Sequence, residues 1–453
     1  MSNPHGAAQQ RNALYRTIWR WHFYAGLFVL PFVFMLSVTG GIYLFKPQID
    51  RWEESAFQNL PVENTVSANE QLAAAITAYP GAQFQSYRLP QNPGDAAAIH
   101  LALADGGTML DVFVSPQGGV IGAINPDHRV TEWVRAIHGQ LLAGKWGAYL
   151  VELAGSWAIV MILSGLWLWW PQGGGLAGVI WPRLGLGKRT FWRDIHAVTG
   201  FWVSGLALVL LLTALPWAGV WGDAFRVVRT EMGWTKNRPD WKIGGEDHAE
   251  HDHHAMMKMQ AVGVPMTGLS DIVAKARAEK AMPYPVLVKP PGAADRAGDT
   301  DMVWTVKSEA QNRPLNVAIT YDVATGKESS RKGFEEKHPI DKAISYGIAW
   351  HEGQLFGWVN QLIGLLTALA LVTLAVSGFI MWRRRKPEEG LGAPPLPAVP
   401  PRIGGVVAIT LVLAALLPLL AVSLVLLWLF DRLVLPHLPR LSGWLGVSPP
   451  QAV

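Results

Sequence analysis

The chain of 453 residues contains no cysteine. That excludes disulfides, thiolate-held zinc, iron–sulfur clusters and c-type haem, which needs a Cys-x-x-Cys-His attachment. Any redox centre must therefore be held by His, Met or carboxylate, or be a soluble cofactor. Charge is scarce too: 16% of residues are charged and 50% are hydrophobic. Catalytic triads, phosphate-cradling glycine loops and dinucleotide fingerprints are missing. A Rossmann site for NAD(P)H is thus excluded, and electrons would have to come from membrane quinol or a soluble reductase.

What is present is apolar and clustered. Five runs are long enough to span a bilayer: Trp19–Phe45, Gly147–Trp170, Ile195–Trp221, Leu355–Trp382 and Ile403–Phe430. Many of the 22 tryptophans lie at run ends, among them Trp19, Trp21, Trp169, Trp170, Trp221, Trp358 and Trp382. This is the aromatic belt of a protein surrounded by membrane lipid. The net charge of +4 is spatially sorted and gives no sign of a nucleic-acid partner. Arg11, Arg16 and Arg20 precede the first run, Arg183, Lys188, Arg189 and Arg193 separate the second and third, and Arg383–Lys386 follow the fourth. The positive-inside rule makes these cytoplasmic. Residues 1–18 are then expected as a disordered cytoplasmic tail, 171–194 and the proline-rich 383–402 as cytoplasmic connections, and 46–146 and 222–354 as large outer segments. The tail 431–453 is also expected outside. The first run exceeds a signal-peptide core and has no small-residue cleavage site, so it reads as a retained anchor.

The chain is internally duplicated. His138 precedes Gln140-Leu141 and His351 precedes Gln354-Leu355; each is followed by a Ser-Gly pair whose glycine, Gly165 or Gly378, comes 27 residues later. His22 and His196, near the cytoplasmic ends of the first and third runs, each have glycine four residues on (Gly26, Gly200) and threonine seventeen on (Thr39, Thr213). The expectation is a helical membrane protein of two plus two spans with a fifth outside the repeat.

A lone interfacial histidine is usually an anchor, and glycine in a membrane helix usually serves close packing. Four histidines in matched register at membrane depth point instead to function. Neutral imidazoles on facing helices grip haem iron from both sides. His22 with His196 would form an inner pair and His138 with His351 an outer one, for two bis-histidine haems. Gly26 and Gly200 would leave room for porphyrin, and Arg20, Arg193, Arg135 and Lys145 could meet propionates. His128 and His338 are alternative outer ligands that read as surface residues. His5, His100 and His437 read as incidental.

Each outer segment reads as a small α+β module. The first has a helix at Ser67–Tyr79, strands at Ile99–Leu103 and Leu110–Val114, and a turn at Pro116–Gly119. The second has a helix at Leu269–Lys280, strands at Val303–Lys307 and Val317–Tyr321, and a turn at Asp322–Lys327. Between them, Asp247–Met259 holds His248, His251, His253 and His254 with Met256, Met257 and Met259. That set suits copper or another transition metal, or is a solvated loop.

Taken in order, the motifs HFYAGLFVLPFVFMLSVTGGIYLFKPQID, IHGQLLAG, HAVTG, YDVATGKE and WHEGQLFG resemble the PepSY-associated transmembrane family over roughly Trp19–Lys386. The outer modules look like PepSY domains. The resemblance to FoxB-like members implies a bacterial inner-membrane dihaem b-type reductase of ferric siderophores in the periplasm, with His22 and His196 matching the inner ligands and His138 and His351 the outer ones. The fifth run and the His/Met-rich insertion depart from that pattern. A non-redox membrane protein whose modules bind or inhibit a periplasmic partner, and a copper-handling protein, stand as the alternatives.

Overall fold

The computed structural model describes residues 4–105, 107–171, 176–234, 268–279, 282–292 and 302–447. In chain order the helices are α1 (Pro4–Tyr43), α2 (Lys46–Glu53), α3 (Ala68–Ala78), α4 (Val130–Gln140), α5 (Gly144–Trp169), α6 (Lys188–Ala214) and α7 (Gly219–Glu231). Then come α8 (Leu269–Ala278), α9 (Pro339–His351), α10 (Trp358–Arg385), α11 (Gly404–Leu416), α12 (Pro418–Leu429) and α13 (Pro439–Leu445). The chain divides into two compact units: Met1–Gly41 with Ile137–Val227 and Leu362–Val453, and Ile42–Ala136 with Val228–Gln361.

The first unit is helical. Five stretches are long and apolar enough to cross a membrane: Gln9–Tyr43, Gly144–Trp169, Lys188–Trp217, Trp358–Arg385 and Pro418–His437. Lipid offers the backbone no hydrogen bonds, so each span has to satisfy its own as helix. At most 28% of any span's most apolar window is buried within the protein. The remainder, including Leu366, Val425 and Leu426, is exposed apolar surface suited to lipid.

Two expectations fail here. The N-terminal tail is ordered from Pro4 onward as the first turns of α1, with Ala13 and Ile18 buried, so packing holds it helical. The fifth run is broken. Leu417 is extended (φ −126°, ψ 90°) and Pro418 opens a new helix. Proline lacks the N–H that would continue α11 and biases the residue before it away from helix. The break reverses the chain. Residue 391, before α11, donates its N–H to the Trp444 carbonyl, after α12, at 2.9 Å. Arg20 donates both to the Pro394 carbonyl and, at 2.9 Å, to the Gly446 carbonyl. The tip of the hairpin packs Leu417 and Leu420 against Ile159, Leu211 and Leu215. Up to Val447 the C-terminal segment therefore returns to the end of the helical unit that the linker before α11 left.

The second unit is built on β1 (Gln83–Arg88), β2 (Ala97–Ala102), β3 (Met109–Val114), β4 (Val120–Ile124), β5 (Val286–Lys289), β6 (Trp304–Ser308), β7 (Ala318–Tyr321) and β8 (Glu328–Lys332). The two expected modules are not separate. Their strands form one antiparallel sheet in the order β4-β3-β2-β1-β5-β6-β7-β8. The seam pairs Tyr87 with Val288 and Arg88 with Leu287. Left apart, β1 and β5 would each be a raw edge of unpaired backbone groups. Helices α3 and α8 lie on one face over a common core of Leu72, Tyr87, Ile99, Leu101, Val112, Leu269, Ile272, Val288, Val306 and Ile319. Helix α3 begins with a capping box: Ser67 accepts from the Glu70 N–H while the Glu70 carboxylate accepts from the Ser67 N–H.

Candidate functional site

Three histidine rings of the helical unit are held in one way. His22 on α1 places Nδ1 2.8 Å from Ser164 Oγ on α5. His196 on α6 places Nδ1 3.1 Å from Ser377 Oγ and 3.2 Å from the Leu374 carbonyl on α10. His138, in the last turn of α4, places Nδ1 2.9 Å from Thr39 Oγ1 on α1. The first span thus fixes a histidine that precedes the second, and the second fixes a histidine on the first.

The direction of these bonds follows from where each hydroxyl sends its own proton. Ser164 donates to the Val160 carbonyl, Ser377 to the Leu374 carbonyl and Thr39 to the Met35 carbonyl. Each oxygen is then left as an acceptor, and the Leu374 carbonyl can only accept. The network assigns the proton to Nδ1 in all three rings and leaves Nε2 with its lone pair. A metal-ligating histidine characteristically has its far nitrogen tied in this manner.

Glycine follows every one of these hydroxyls. A Cβ on Gly165 would lie 3.2 Å from His22 Cε1, one on Gly378 3.4 Å from His196 Cε1, and one on Gly40 3.1 Å from His138 Cε1. The rings lie against the neighbouring backbone where any side chain would press on them. His196 is also within electrostatic reach of His22. Two neutral imidazoles with free Nε2 atoms, held on neighbouring helices and cradled by glycine, fit haem iron. His351, the fourth candidate, is the last residue of α9. Among the described residues no cluster of three or more His, Asp or Glu is arranged for a metal ion. His248, His251, His253 and His254 lie outside them.

Other expected residues are placed differently. Gly26 and Gly200 face the side-chain ends of Met161 and Leu374, at 3.2 and 3.5 Å from a notional Cβ, so they serve helix contact in matched positions. Arg20 is buried and spent on backbone carbonyls, Arg193 pairs with the fully buried Asp194 at 2.6 Å, and Arg135 pairs with Glu132 at 2.7 Å. Lys145 is exposed. His338 caps α9, its Nδ1 accepting from the Ile340 N–H at 3.3 Å, and His128 is exposed. Glu152, unnoticed in the sequence although it is an acid inside an apolar run, is buried and accepts from the Val220 and Trp221 N–H groups at 2.8 and 3.0 Å. It caps the N-terminus of α7.

In the sheet unit, His100 is not incidental. It lies 2.8 Å from Asp111, whose second oxygen accepts from Arg129; Arg129 also reaches Glu54, and Glu54 accepts from Arg88. Burial alone would raise the Asp111 carboxyl, but the His100 hydrogen bond and the Arg88, His100 and Arg129 charges hold it down at about 2. This network straps the segments after α1 and before α4 to the open face of the sheet, beside the stacked rings of Phe57 and Phe113 at 4.0 Å. Beside His351, burial pushes the Glu352 carboxyl up, against the opposing charges of Arg313 and Lys46.

A bundle of apolar helices with histidines fixed at hydroxyl–glycine pairs, joined to a helix-covered antiparallel sheet, defines a polytopic membrane protein with an extramembrane α+β domain. The family model for the PepSY-associated TM region matches residues 19–385, and the chain belongs to that family. No curated protein matches the chain.

Proposed function

We propose that the chain is a membrane oxidoreductase that holds two b-type haems by histidine pairs and delivers electrons to a ferric chelate, such as a ferric siderophore, on the periplasmic side of the bacterial inner membrane. The reading is carried by His22 and His196, each with Nδ1–H tied to a neighbouring helix and Nε2 left with its lone pair, and by the same Nδ1 tie at His138. Haem bound there supplies a one-electron ferric/ferrous couple inside a layer about 30 Å thick that electrons cannot cross in one step. His22 and His196 are assigned to the inner haem, and His138 and His351, matched by sequence register, to the outer. Ser164, Ser377 and Thr39 orient the rings and keep the imidazoles neutral, and the apolar helices keep water from them. Since the chain carries no nucleotide fingerprint, quinol or a separate reductase supplies the electrons. Reduction loosens the chelate because hard oxygen ligands hold ferric iron better than ferrous.

The test is a visible spectrum of the purified chain before and after dithionite, with haem quantified against protein. Sharp reduced α-bands at close to two haems per chain are expected. A featureless spectrum from folded protein made with ample haem refutes the reading and favours a non-redox binding role for the sheet unit.

A further inference from the structure

A loop between two membrane spans gains nothing from large apolar side chains held in water. The connection from α5 to α6 nonetheless carries Leu176, Trp181, Leu184 and Leu186, each more than half exposed. The backbone beneath them is fixed. The loop closes on itself where the Gly178 N–H donates to the Trp181 carbonyl at 2.7 Å. Two indoles of the flanking spans hold it: Trp169 on α5 donates to the Val179 carbonyl at 2.8 Å, and Trp202 on α6 to the Ile180 carbonyl at 2.9 Å. The Trp169 ring stacks in turn on Phe201 at 4.1 Å. Further on, Arg183 donates its backbone and Nε protons to the fully buried Asp194 of α6, at 3.1 and 2.8 Å. A loop tied at these points does not fold its apolar side chains inward, so a partner outside the chain covers them.

Two observations identify the partner. The loop lies against Trp202, an exposed residue of the span Lys188–Trp217, so its surface continues the lipid-facing surface of the helices. It then runs straight into Lys188 and Arg189, both exposed, while the nearest acid in sequence, Asp194, is taken by Arg183 and Arg193. Apolar side chains beside unneutralised cations are the pattern of an element lying in the membrane interface. We infer that residues 176–189 are an in-plane anchor in the leaflet at this end of the helical unit. Its leucines and Trp181 seat at the boundary of headgroups and acyl chains, and Lys188 and Arg189 pair with the phosphates of anionic phospholipid. One basic residue near an anionic surface is worth a preference of roughly fivefold, so two select anionic over neutral lipid. Through Asp194 the anchor also braces the start of α6, the helix that carries His196.

The chain has no cysteine, so Leu184→Cys in the full-length protein takes a single bimane label. The labelled protein is placed in phosphatidylcholine nanodiscs containing acyl-chain-brominated phosphatidylcholine or, at the same mole fraction, brominated phosphatidylglycerol. Iodide serves as the water-borne quencher in discs of neutral lipid. Strong quenching by brominated lipid and little by iodide is expected, with the anionic lipid several-fold more effective. Adding Lys188→Gln with Arg189→Gln is expected to bring the two lipids level. Leu186→Cys reports on the same loop should Leu184→Cys fail to accumulate. Iodide quenching without lipid quenching overturns the anchor and leaves the loop to a soluble protein partner. Equal quenching by the two lipids before the charge substitutions overturns the selection of anionic headgroups. Protection from lipid and iodide alike means that the loop packs within the protein, and overturns the inference whole.

Discussion

Ser164, Ser377 and Thr39 each do the same small task, accepting a proton-bearing Nδ1 while donating to their own helix. Replacing Ser164 with alanine removes the acceptor and adds no bulk beside His22. Loss of such an outer partner typically weakens metal binding roughly 10–100-fold. Ser164→Ala is expected to lower retention of one haem on that scale in competition with an apo-globin, with the second haem unaffected. Both Ser-Gly pairs and the two threonines were legible in the sequence as matched offsets. Their partners were not, because an offset counts residues along one chain and a hydrogen bond joins two helices. Asp111 carries a different prediction. Its folded value of about 2 lies below the usual 3.8, so its stabilisation is full above about pH 4 and disappears as pH falls through about 2. The difference corresponds to on the order of 2 kcal/mol. Asp111→Asn is expected to lower the unfolding midpoint of the sheet unit at neutral pH and to flatten its acid limb below pH 4, read by circular dichroism.

Among the elements, the joint between α4 and α5 is the tightest. Residues Leu141 and Leu142 both have positive φ, 53° and 57°, and Gly144 follows at 54°. A Cβ on Gly147 would land on the Gln140 carbonyl oxygen, which is backbone and cannot swing away. Gly147→Ala is therefore expected to displace α4, and with it His138, at a cost of several kcal/mol typical of severe overpacking. Thermal unfolding in detergent should show it, and wild-type behaviour would mean the joint is looser than drawn. Four spans were plain in the sequence because length and hydropathy alone define them. The fifth starts later than hydropathy suggests: Ile403–Phe430 satisfies both criteria, but Pro418 breaks the run, and the stretch long enough to span is Pro418–His437. Half of the strands also escaped notice. β1 (QFQSYR) is polar, and β5 (VLVK) is short. Each is defined by its pairing across the seam, information no local window contains.

For the molecule as a whole, the duplication shows in both units but to different ends. In the helical unit it repeats a histidine, a hydroxyl and a glycine; in the sheet unit it builds one sheet from two half-sheets, with α3 and α8 joined where the Asn69 N–H meets Ser270 Oγ at 3.0 Å. The contacts of the last segment make a prediction about sidedness. The chain leaves the helical unit after α1, returns, and its last segment ends where the linker before α11 began. Because the chain has no cysteine, single cysteines can report on this without background. Gln9→Cys and Val447→Cys are expected to react with a membrane-impermeant maleimide from one side, and Gln91→Cys, in the exposed loop between β1 and β2, from the other. Reaction of Val447→Cys on the side of Gln91→Cys would mean that residues 403–437 cross the bilayer once as a single span. The clasp of Arg20 on Gly446 would then be absent from the protein in its membrane, and the ordering of α1 beside His22 would need another source.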